Sequence, residues 1–433
     1  MKAEGVQTFV NRRKERKGES TKMERRVVIT GLGAITPVGN NTEEFWKGIK
    51  EGKCGIDEIT HFDITDYKVK LAAEIKGYNP EEHFDRRTAK RMDKFSQYAI
   101  VAAREAWNDS KLDKEKENME RVGVILGSGI GGLETMQADI SNLILKGPDR
   151  VSPMFIPMSI CNMAAGNVAI DLGIKGESIS MVTACASGTH CIGESFRMIK
   201  NGYQDIVLAG GTEASITPVG IAGFTNIKAL SQATDKNRAS IPFDKERSGF
   251  VMGEGAGIVI LEELEHALNR GAKIYAEIVG YGATSDAYHI TSPAPGGEGG
   301  ARAMKVAMEE AGVKPEDITY INAHGTSTHL NDSCETQAVK AAFGDASSKV
   351  MVSSTKGHIG HLLGAAGGVE AVICAKAIEE GFVPATINYK VPDEECDLDV
   401  VPNEGRKVEV KYAMSNSLGF GGHNATILLK KYE

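Results

Sequence analysis

The two halves of this chain repeat one another in the same order. The segment at 121–129, RVGVILGSG, follows AREAWNDSKLD, just as ITYINAHGT at 318–326 follows AMEEAGVKPED. The segment at 180–202, SMVTACASGTHCIGESFRMIKNG, is similar to the one at 351–381, and DIVLAGGTEA is similar to YAMSNSLGFGGHNATILL. Such ordered self-similarity indicates a duplicated core. We therefore expect the chain to fold as two similar halves.

Strand-like and helix-like segments alternate along the chain. Apolar runs at 26–30, 121–126 and 205–209 resemble buried strands, and the run at 96–108 resembles a helix. This alternation predicts an α/β protein built around largely buried sheets. With 433 residues, of which 41% are hydrophobic, the chain is long enough to bury a large core.

Residues 1–22 differ from the rest of the chain. They carry seven basic and three acidic residues with little apolar content. We interpret them as a disordered basic extension ahead of a second possible start at Met23, followed by the two halves at 23–272 and 273–433. A transit peptide is the alternative, but such peptides are rich in Ser and poor in acidic residues.

The composition argues against several classes of function. The net charge is −8, and the chain beyond the basic extension is more acidic still, which disfavours general binding to nucleic acids. No stretch approaches the roughly 20 apolar residues of a membrane span. We expect a cytoplasmic protein with no membrane contact. Seven cysteines without regular spacing predict reduced thiols rather than a disulfide framework.

Cys185 is the cysteine with a reactive setting. It lies where an apolar strand passes into a helix that opens with small residues, and the N–H groups and dipole of a helix N-terminus favour a thiolate. The Cys185 amide could also help hold a thioester oxyanion. A buried, inert thiol is the alternative. We interpret the others as structural, namely Cys54, Cys161, Cys191, Cys334, Cys374 and Cys396.

Two further turns carry histidines. His324 follows a short strand in YINAHGTST, where loop residues are well placed to face a ligand, although a structural histidine is the alternative. The segment SSTKGHIGHLLGAAGG contains Lys356, His358 and His361. A metal site is not expected, because no zinc-helix motif and no acidic ligands are present.

The cysteine and the histidines form a chemically specific set. The duplication places Cys185 and the Lys356-to-His361 segment at corresponding strand-to-helix turns, so that both would meet at one cleft. A nucleophile with two donors is suited to stabilising an enolate and to proton transfer. The imidazoles must be neutral for this, and Lys356 nearby would disfavour their protonation.

One glycine-rich segment looks like a different motif. Gly127, Gly129 and Gly132 in GSGIGG satisfy the dinucleotide-binding spacing after a strand, but the acidic residue about 20 positions on is not evident. We interpret this segment as a tight turn that lines a pocket with Ile130.

Several long motifs in one order resemble the elongating beta-ketoacyl-[acyl carrier protein] synthases of bacterial type II fatty acid synthesis. They run from Met23 to the C-terminus and are RVVITGLGAITPVGN, TACASGTHCIG, PFDKERSGFVMGEGA, NAHGTSTHLND, STKGHIGHLLGAAG and NSLGFGGHN. The resemblance implies a thiolase-like five-layered αβαβα fold, a homodimer and a ping-pong reaction. It also implies that no cofactor is needed beyond the phosphopantetheine of the acyl carrier protein.

The resemblance also implies roles for individual residues. Cys185 would take the acyl group, His324 and His361 would stabilise the enolate of malonyl carrier protein, and Lys356 would tune the site while paired with Glu335. The residues implied to contact substrate are the gating Phe420, Thr326 and Thr328 at the pantetheine arm, and Ile130 and Phe224 at the acyl pocket.

The sequence departs from the family pattern near the substrate. Leu418 and His423 replace the common Phe and Thr around the GFGG loop. His329 replaces a common Pro, and Ser333 replaces a Lys. These changes affect what can be expected of gating, carrier contacts and chain-length preference.

A basic cluster lies in the otherwise acidic body. Family members use this region to dock the acidic carrier protein, although a solvated helix face is the alternative. The cluster comprises Arg86, Arg87, Lys90, Arg91 and Lys94, with Arg150 and Lys228 as extensions.

Related activities remain as alternatives. A degradative thiolase would have a second cysteine in the C-terminal Gly-rich loop, and an initiating synthase would have Asn at the position of His361. A non-catalytic chain-length partner of a polyketide synthase would lack Cys185. A ketosynthase of a type II polyketide pathway would show the same residues and is the main alternative.

Overall fold

The computed structural model describes residues 25–433. The predicted extension at 1–22 lies outside these residues. None of the described helices is both long and apolar enough to cross a bilayer.

Fourteen strands are found among the described residues. They are β1 (Val27–Ile35), β2 (Asp57–Glu58), β3 (Leu71–Ala72), β4 (Val122–Gly127), β5 (Ser178–Ile179), β6 (Ile206–Glu213), β7 (Gly255–Glu263), β8 (Ala276–Ser285), β9 (Tyr320–Asn322), β10 (Met351–Ser353), β11 (Phe382–Val383), β12 (Arg406–Lys407), β13 (Tyr412–Gly419) and β14 (His423–Lys430).

Fourteen α-helices connect and cover the strands of the described chain. They are α1 (Thr42–Lys50), α2 (Arg86–Ala89), α3 (Lys94–Ser110), α4 (Leu133–Lys146), α5 (Phe155–Ser159), α6 (Met163–Leu172), α7 (Ser187–Lys200), α8 (Pro218–Asn226), α9 (Lys236–Ala239), α10 (Leu264–Asn269), α11 (Glu298–Ala311), α12 (His329–Phe343), α13 (Lys356–Ile359) and α14 (Ala366–Glu380).

The large sheet consists of two halves with the same topology. The first half has the order β5-β4-β6-β7-β1, and the second has β10-β9-β13-β14-β8. In each half the first two pairings are parallel and the last two antiparallel. The repeated segments of the sequence supply equivalent strands, such as β4 and β9 or β6 and β13. The predicted duplication is confirmed.

The two half-sheets are joined along a short seam. Strand β1 pairs with β8 only from Val27 to Ile29, after which the strands diverge. Carboxylates of α3 then bind two amides of β1: Leu32 N donates to Asp109 Oδ2 at 2.9 Å and Ala34 N to Glu105 Oε2 at 2.8 Å. Buried amides need such partners once the neighbouring strand has left.

Helices fill the spaces between and outside the half-sheets. Helices α7 and α14 pack against each other and against strands of both half-sheets, so they form the central layer. Helix α3 covers the outer face of the first half-sheet, and α11 covers that of the second. The predicted five-layered α/β architecture is confirmed, and it brings the N-terminal ends of α7 and α14 to one place.

Candidate active site

Cys185 lies in a tight turn at the start of α7. A single 3-10 turn, Ala184–Ala186, precedes the helix, and Ala184 adopts φ +51°. The second half has a twin of this turn at Leu363–Ala365 before α14, with Leu363 at φ +48°. Non-glycine residues in this left-handed region store strain, and such residues concentrate at functional sites.

Two histidines of the second half face this thiol. His324 lies just beyond β9, and His361 lies just beyond α13. One ring nitrogen of each histidine and the Cys185 Sγ lie within 4.8 Å of one another, and all three residues are buried. The two imidazole rings have centroids 5.2 Å apart and an interplanar angle of 85°. The structure therefore brings together the three predicted residues.

Both imidazoles are neutral. Burial, with the Lys356 ammonium as the next cause, holds the pKa of His324 and of His361 well below the usual range. The Leu363 N–H donates to His361 Nδ1 at 3.3 Å, so the proton of this neutral ring is on Nε2. His361 is thus a hydrogen-bond donor toward a ligand. The direction of the Lys356 effect agrees with the predicted role of this lysine.

Burial acts against the predicted thiolate form of Cys185. Burial raises the pKa of the Cys185 thiol to about 12, against the opposing effects of Lys356 and of a hydrogen bond from the Phe420 backbone. Burial therefore opposes the thiolate that the helix N-terminus is predicted to favour. The sulfur must lose its proton during the reaction itself.

The partner of Lys356 also differs from the prediction. Lys356 Nζ forms an ion pair with Glu370 Oε1 on α14, and both side chains are only 2% exposed. Glu335 instead accepts from His324 N and Gly325 N, each at 2.8 Å. The pairing of Lys356 with Glu335 is therefore corrected. Glu335 supports the site because these two hydrogen bonds fix the backbone of His324.

A cavity of about 360 Å³ leads to the thiol. The Thr326 and Thr328 side chains line it, with their hydroxyl oxygens 2.9 Å apart. Phe224 and Phe420 also line it, with ring centroids 6.4 Å apart. Ile130 is not among the lining residues, although it is part of the apolar cluster that contains Cys185. Its predicted place beside an acyl pocket stays a prediction.

The loop after β13 is held close to the thiol. A Cβ on Gly419 would lie 2.7 Å from Thr183 O and 3.3 Å from Cys185 N, so only glycine allows this approach. Phe420 follows directly. Next to it, the His423 ring packs against Gly421, with its Nε2 atom 2.9 Å from the position of a Cβ there.

The predicted docking residues are exposed. Arg86 and Arg87 lie on α2, with Lys90 and Arg91 just after it. Arg150 and Lys228 are also exposed, and Lys228 lines the cavity. Lys94 differs, because its Nζ lies 3.2 Å from Glu134.

Sequence reasoning missed three residues of the site: Glu370, Phe250 and Glu213. The Phe250 ring packs on that of His361 with centroids 5.2 Å apart. Glu213 is buried and accepts from Gly129 N at 2.7 Å and Gly364 N at 3.0 Å. A single acidic residue within an apolar run signals a buried, partnered carboxylate, and both glutamates have such a setting.

His358 does not belong to the cluster. Its Nδ1 lies 3.1 Å from Lys53 O and its Nε2 lies 3.3 Å from Ala385 O. Both ring nitrogens therefore face backbone carbonyls.

This duplicated architecture, with a nucleophile turn in one half and imidazole turns in the other, is that of the thiolase-like condensing enzymes. These acyltransferases work through a covalent thioester. The chain belongs to the beta-ketoacyl synthase family: residues 24–267 match its N-terminal domain and residues 275–390 its C-terminal domain.

Known proteins of this family are similar along nearly the whole chain. The 3-oxoacyl-[acyl-carrier-protein] synthase 2 of Staphylococcus aureus (strain COL) is 55% identical over 94% of this chain and 99% of its own length. A beta-ketoacyl synthase structure from Burkholderia phymatum STM815 superposes with TM-score 0.88 at 34% identity, covering 94% of this chain and all of that one. A type II polyketide ketosynthase in complex with its acyl-carrier protein gives TM-score 0.87 at 34% identity, covering 95% and 100%.

Proposed function

We propose that the protein elongates fatty acids as a beta-ketoacyl-[acyl carrier protein] synthase. It would join an acyl group held on Cys185 to a two-carbon unit from malonyl carrier protein, with loss of carbon dioxide. One observation carries the chemistry: the Cys185 Sγ and two neutral imidazoles lie within 4.8 Å of one another in a single buried site. The 55% identity to a 3-oxoacyl-[acyl-carrier-protein] synthase 2 supports this reaction and carrier.

The first half-reaction would acylate Cys185. Its sulfur attacks the thioester carbonyl of acyl carrier protein, and the bond to the carrier sulfur breaks. The thiol proton ends on the departing carrier sulfur. His361 Nε2 already carries a proton, so His324 is the imidazole placed to relay it. The Phe420 N–H, which lies near the thiol, and the Cys185 N–H are the candidate donors to the oxyanion.

The second half-reaction would use both imidazoles as donors. The malonyl thioester oxygen accepts hydrogen bonds from His361 Nε2–H and from His324, which stabilises the enolate formed as carbon dioxide leaves. The enolate carbon attacks the acyl carbonyl on Cys185, and the carbon–sulfur bond breaks. The Cys185 thiolate released in this step takes up one proton from solvent, and the product leaves on the carrier two carbons longer.

Intact-protein mass spectrometry tests this function. After incubation with a mixture of saturated acyl carrier thioesters and EDTA, we expect a mass increase of one acyl group that disappears in Cys185→Ala. Acylation in the presence of the chelator would also support the proposal that no metal or other cofactor takes part. An adduct seen only with polyketo thioesters would instead identify a polyketide ketosynthase, and no adduct with any thioester would refute the proposal.

We further propose that acyl carrier protein docks on the basic cluster around α2. Arg86, Arg87, Lys90 and Arg91 are exposed, and within residues 25–433 their side chains form no hydrogen bond or ion pair with other side chains. Lys228 extends the positive charge to the cavity. Unpaired cations beside the entrance attract an acidic partner and guide its approach.

Charge reversal at two of these positions should slow carrier association. For Arg87→Glu/Arg91→Glu we expect the association rate constant to fall about tenfold or more at low ionic strength. Stopped-flow binding measures this. Lys305→Glu/Lys349→Glu makes the same charge change at exposed positions of the second half and is the control. Equal slowing in both variants would contradict a local docking site.

A homodimer is proposed from an apolar surface next to an open sheet edge. Among residues 25–433, strand β5 pairs with β4 alone and leaves an edge that another strand can extend. Helices α4, α5 and α6 contact one another in sequence, and α6 contacts β5. Exposed apolar patches of this kind mark interfaces. Sedimentation at the mass of one 46.4 kDa chain would contradict this. The exposed side chains are Ile140, Leu143, Ile144, Leu145, Ile156, Ile160, Ile170, Ile179 and Val182.

The proposed site of action is the cytoplasm. All seven cysteines are free, and Cys185 must stay reduced to accept an acyl group. Recovery of the native protein with an extracytoplasmic fraction would contradict this.

A further inference from the structure

One segment of the first half supports both histidine turns of the second. This bracing segment, residues 240–253, runs between α9 and β7. Ser240 Oγ donates to Lys356 O at 2.8 Å, and Val251 O accepts from His361 N at 2.7 Å. The backbone around His361 is therefore positioned by the half that carries Cys185.

The bracing segment also holds the loop that follows His324. Ile241 N donates to Ser327 Oγ at 2.9 Å, and Gly249 N donates to Ser327 O at 3.0 Å. Ser327 has φ +68°, a conformation that costs free energy for a residue with a side chain. The loop adopts this shape because its surroundings fix it.

Arg247 is the central contact between the bracing segment and this loop. Its side chain is fully buried, with Nε donating to Thr328 O at 3.2 Å and Nη2 donating to His329 O at 3.1 Å. Nη1 donates to Asp244 O at 3.0 Å and forms an ion pair with Asp393. A buried guanidinium is retained only with such partners, and its planar fork fixes two successive carbonyls at once.

Those carbonyls belong to the stretch that lines the substrate cavity. Thr326 and Thr328 place their hydroxyls 2.9 Å apart on the cavity wall, and Arg247 holds the backbone of Thr328 and of the next residue. The Asp332 carboxylate links this loop to the bracing segment, because it accepts hydrogen bonds from Ser327 N at 3.2 Å and from Phe243 N at 2.8 Å.

We propose that Arg247 is a positioning residue that sets the orientation of the Thr326 and Thr328 hydroxyls toward the amide groups of the substrate's pantetheine arm. The inference rests on the proposed function in taking the arm as the ligand. Arg247 itself does not line the cavity. Its effect reaches the arm through two backbone carbonyls.

Arg247→Lys tests this role. Lysine keeps the charge but loses the fork that binds two carbonyls, so we expect KM for acyl and malonyl carrier thioesters to rise about tenfold. The kcat should change less than about threefold, since arm binding is lost equally from ground and transition states. The alkylation rate of Cys185 by iodoacetamide, which has no arm, should stay at the wild-type value.

Arg270→Lys is the matched control. Arg270 also donates to a buried carboxylate, Glu262, and to a backbone carbonyl, Ser110 O at 2.6 Å, but does not contact the 326–329 loop. The Arg270→Lys protein should be less stable than the wild type, but its KM should not rise. If Arg247→Lys fails to fold, Asp393→Asn removes one partner of the guanidinium at a partly exposed position and should raise KM in the same direction.

A double-mutant cycle with Thr328→Val separates positioning from general stability. If Arg247 acts through the Thr328 hydroxyl, the increases in KM will be less than multiplicative when both changes are combined. The proposal would be overturned if the two increases in KM multiplied, or if KM were unchanged in folded Arg247→Lys and Asp393→Asn. It would also be overturned if alkylation of Cys185 slowed in parallel with the rise in KM. Failure of the proposed function is distinguishable, because the wild-type protein would then form no acyl-enzyme.

Discussion

Cys185→Ala is expected to abolish condensation while malonyl carrier protein is still decarboxylated. Loss of the nucleophile removes the covalent intermediate and should lower the condensation rate by at least about 1000-fold. The two neutral imidazoles remain and still stabilise the enolate, because burial keeps the pKa of each well below its usual value. Mass spectrometry of the ketoacyl product and radiolabelled carbon dioxide release measure the two activities separately.

Cys191→Ala is the control, since Cys191 is a buried thiol on the same helix. It should keep both activities. The decarboxylation catalysed by Cys185→Ala should also show no loss between about pH 8 and pH 6, the range in which an ordinary imidazole takes up a proton. Condensation that survives in Cys185→Ala, or decarboxylation that falls with protonation near pH 6.5, would contradict the assigned roles.

The second large effect is expected at the ion pair between Lys356 and Glu370. Lys356→Met leaves the Glu370 carboxyl buried without its cation, and removal of one partner from a buried pair typically costs about 3–5 kcal/mol. Burial already raises the pKa of Glu370, and loss of the ammonium raises it further, so the folded variant binds a proton that the unfolded chain releases. Its stability should therefore decrease as the pH rises, which urea denaturation at several pH values would measure.

The double variant Lys356→Met/Glu370→Gln separates the loss of stability from the loss of activity. A neutral amide needs no cation, so we expect it to recover much of the lost stability. Activity should stay low, since the ammonium that lowers the pKa of both imidazoles is still missing. A double variant as unstable as Lys356→Met, or a Lys356→Met protein of wild-type stability, would show that the pair does not have this role.

The fold and the three central residues could be predicted because the sequence patterns that indicate them are either short motifs or repeated in both halves. Cys185, His324 and His361 each lie in a short turn next to a strand or helix whose pattern is visible in a few residues. The repeat then relates the turns, because equivalent strands such as β6 and β13 occupy equivalent places in the two half-sheets.

Other features depend on packing between distant segments. The resemblance implied Glu335 as the partner of Lys356, and only the packing of α14 against the turn makes Glu370 the partner instead. Arg247 lies far along the chain from the Thr328 carbonyl that it binds. The burial of Cys185, which opposes the predicted thiolate, also depends on the whole fold, whereas its position before a helix is visible locally.

The twin turns before α7 and α14 differ in what they can hold. Gly364 corresponds to Cys185, but a Cβ there would lie 2.3 Å from Gly129 N and 2.9 Å from Glu213 Oε2. No sulfur fits at position 364 unless the Gly129 loop moves away. The two copies of the turn therefore differ in function: the first carries the reactive sulfur, and the second packs closely against the Gly129 loop. Engineering a second nucleophile would require rebuilding this glycine contact first.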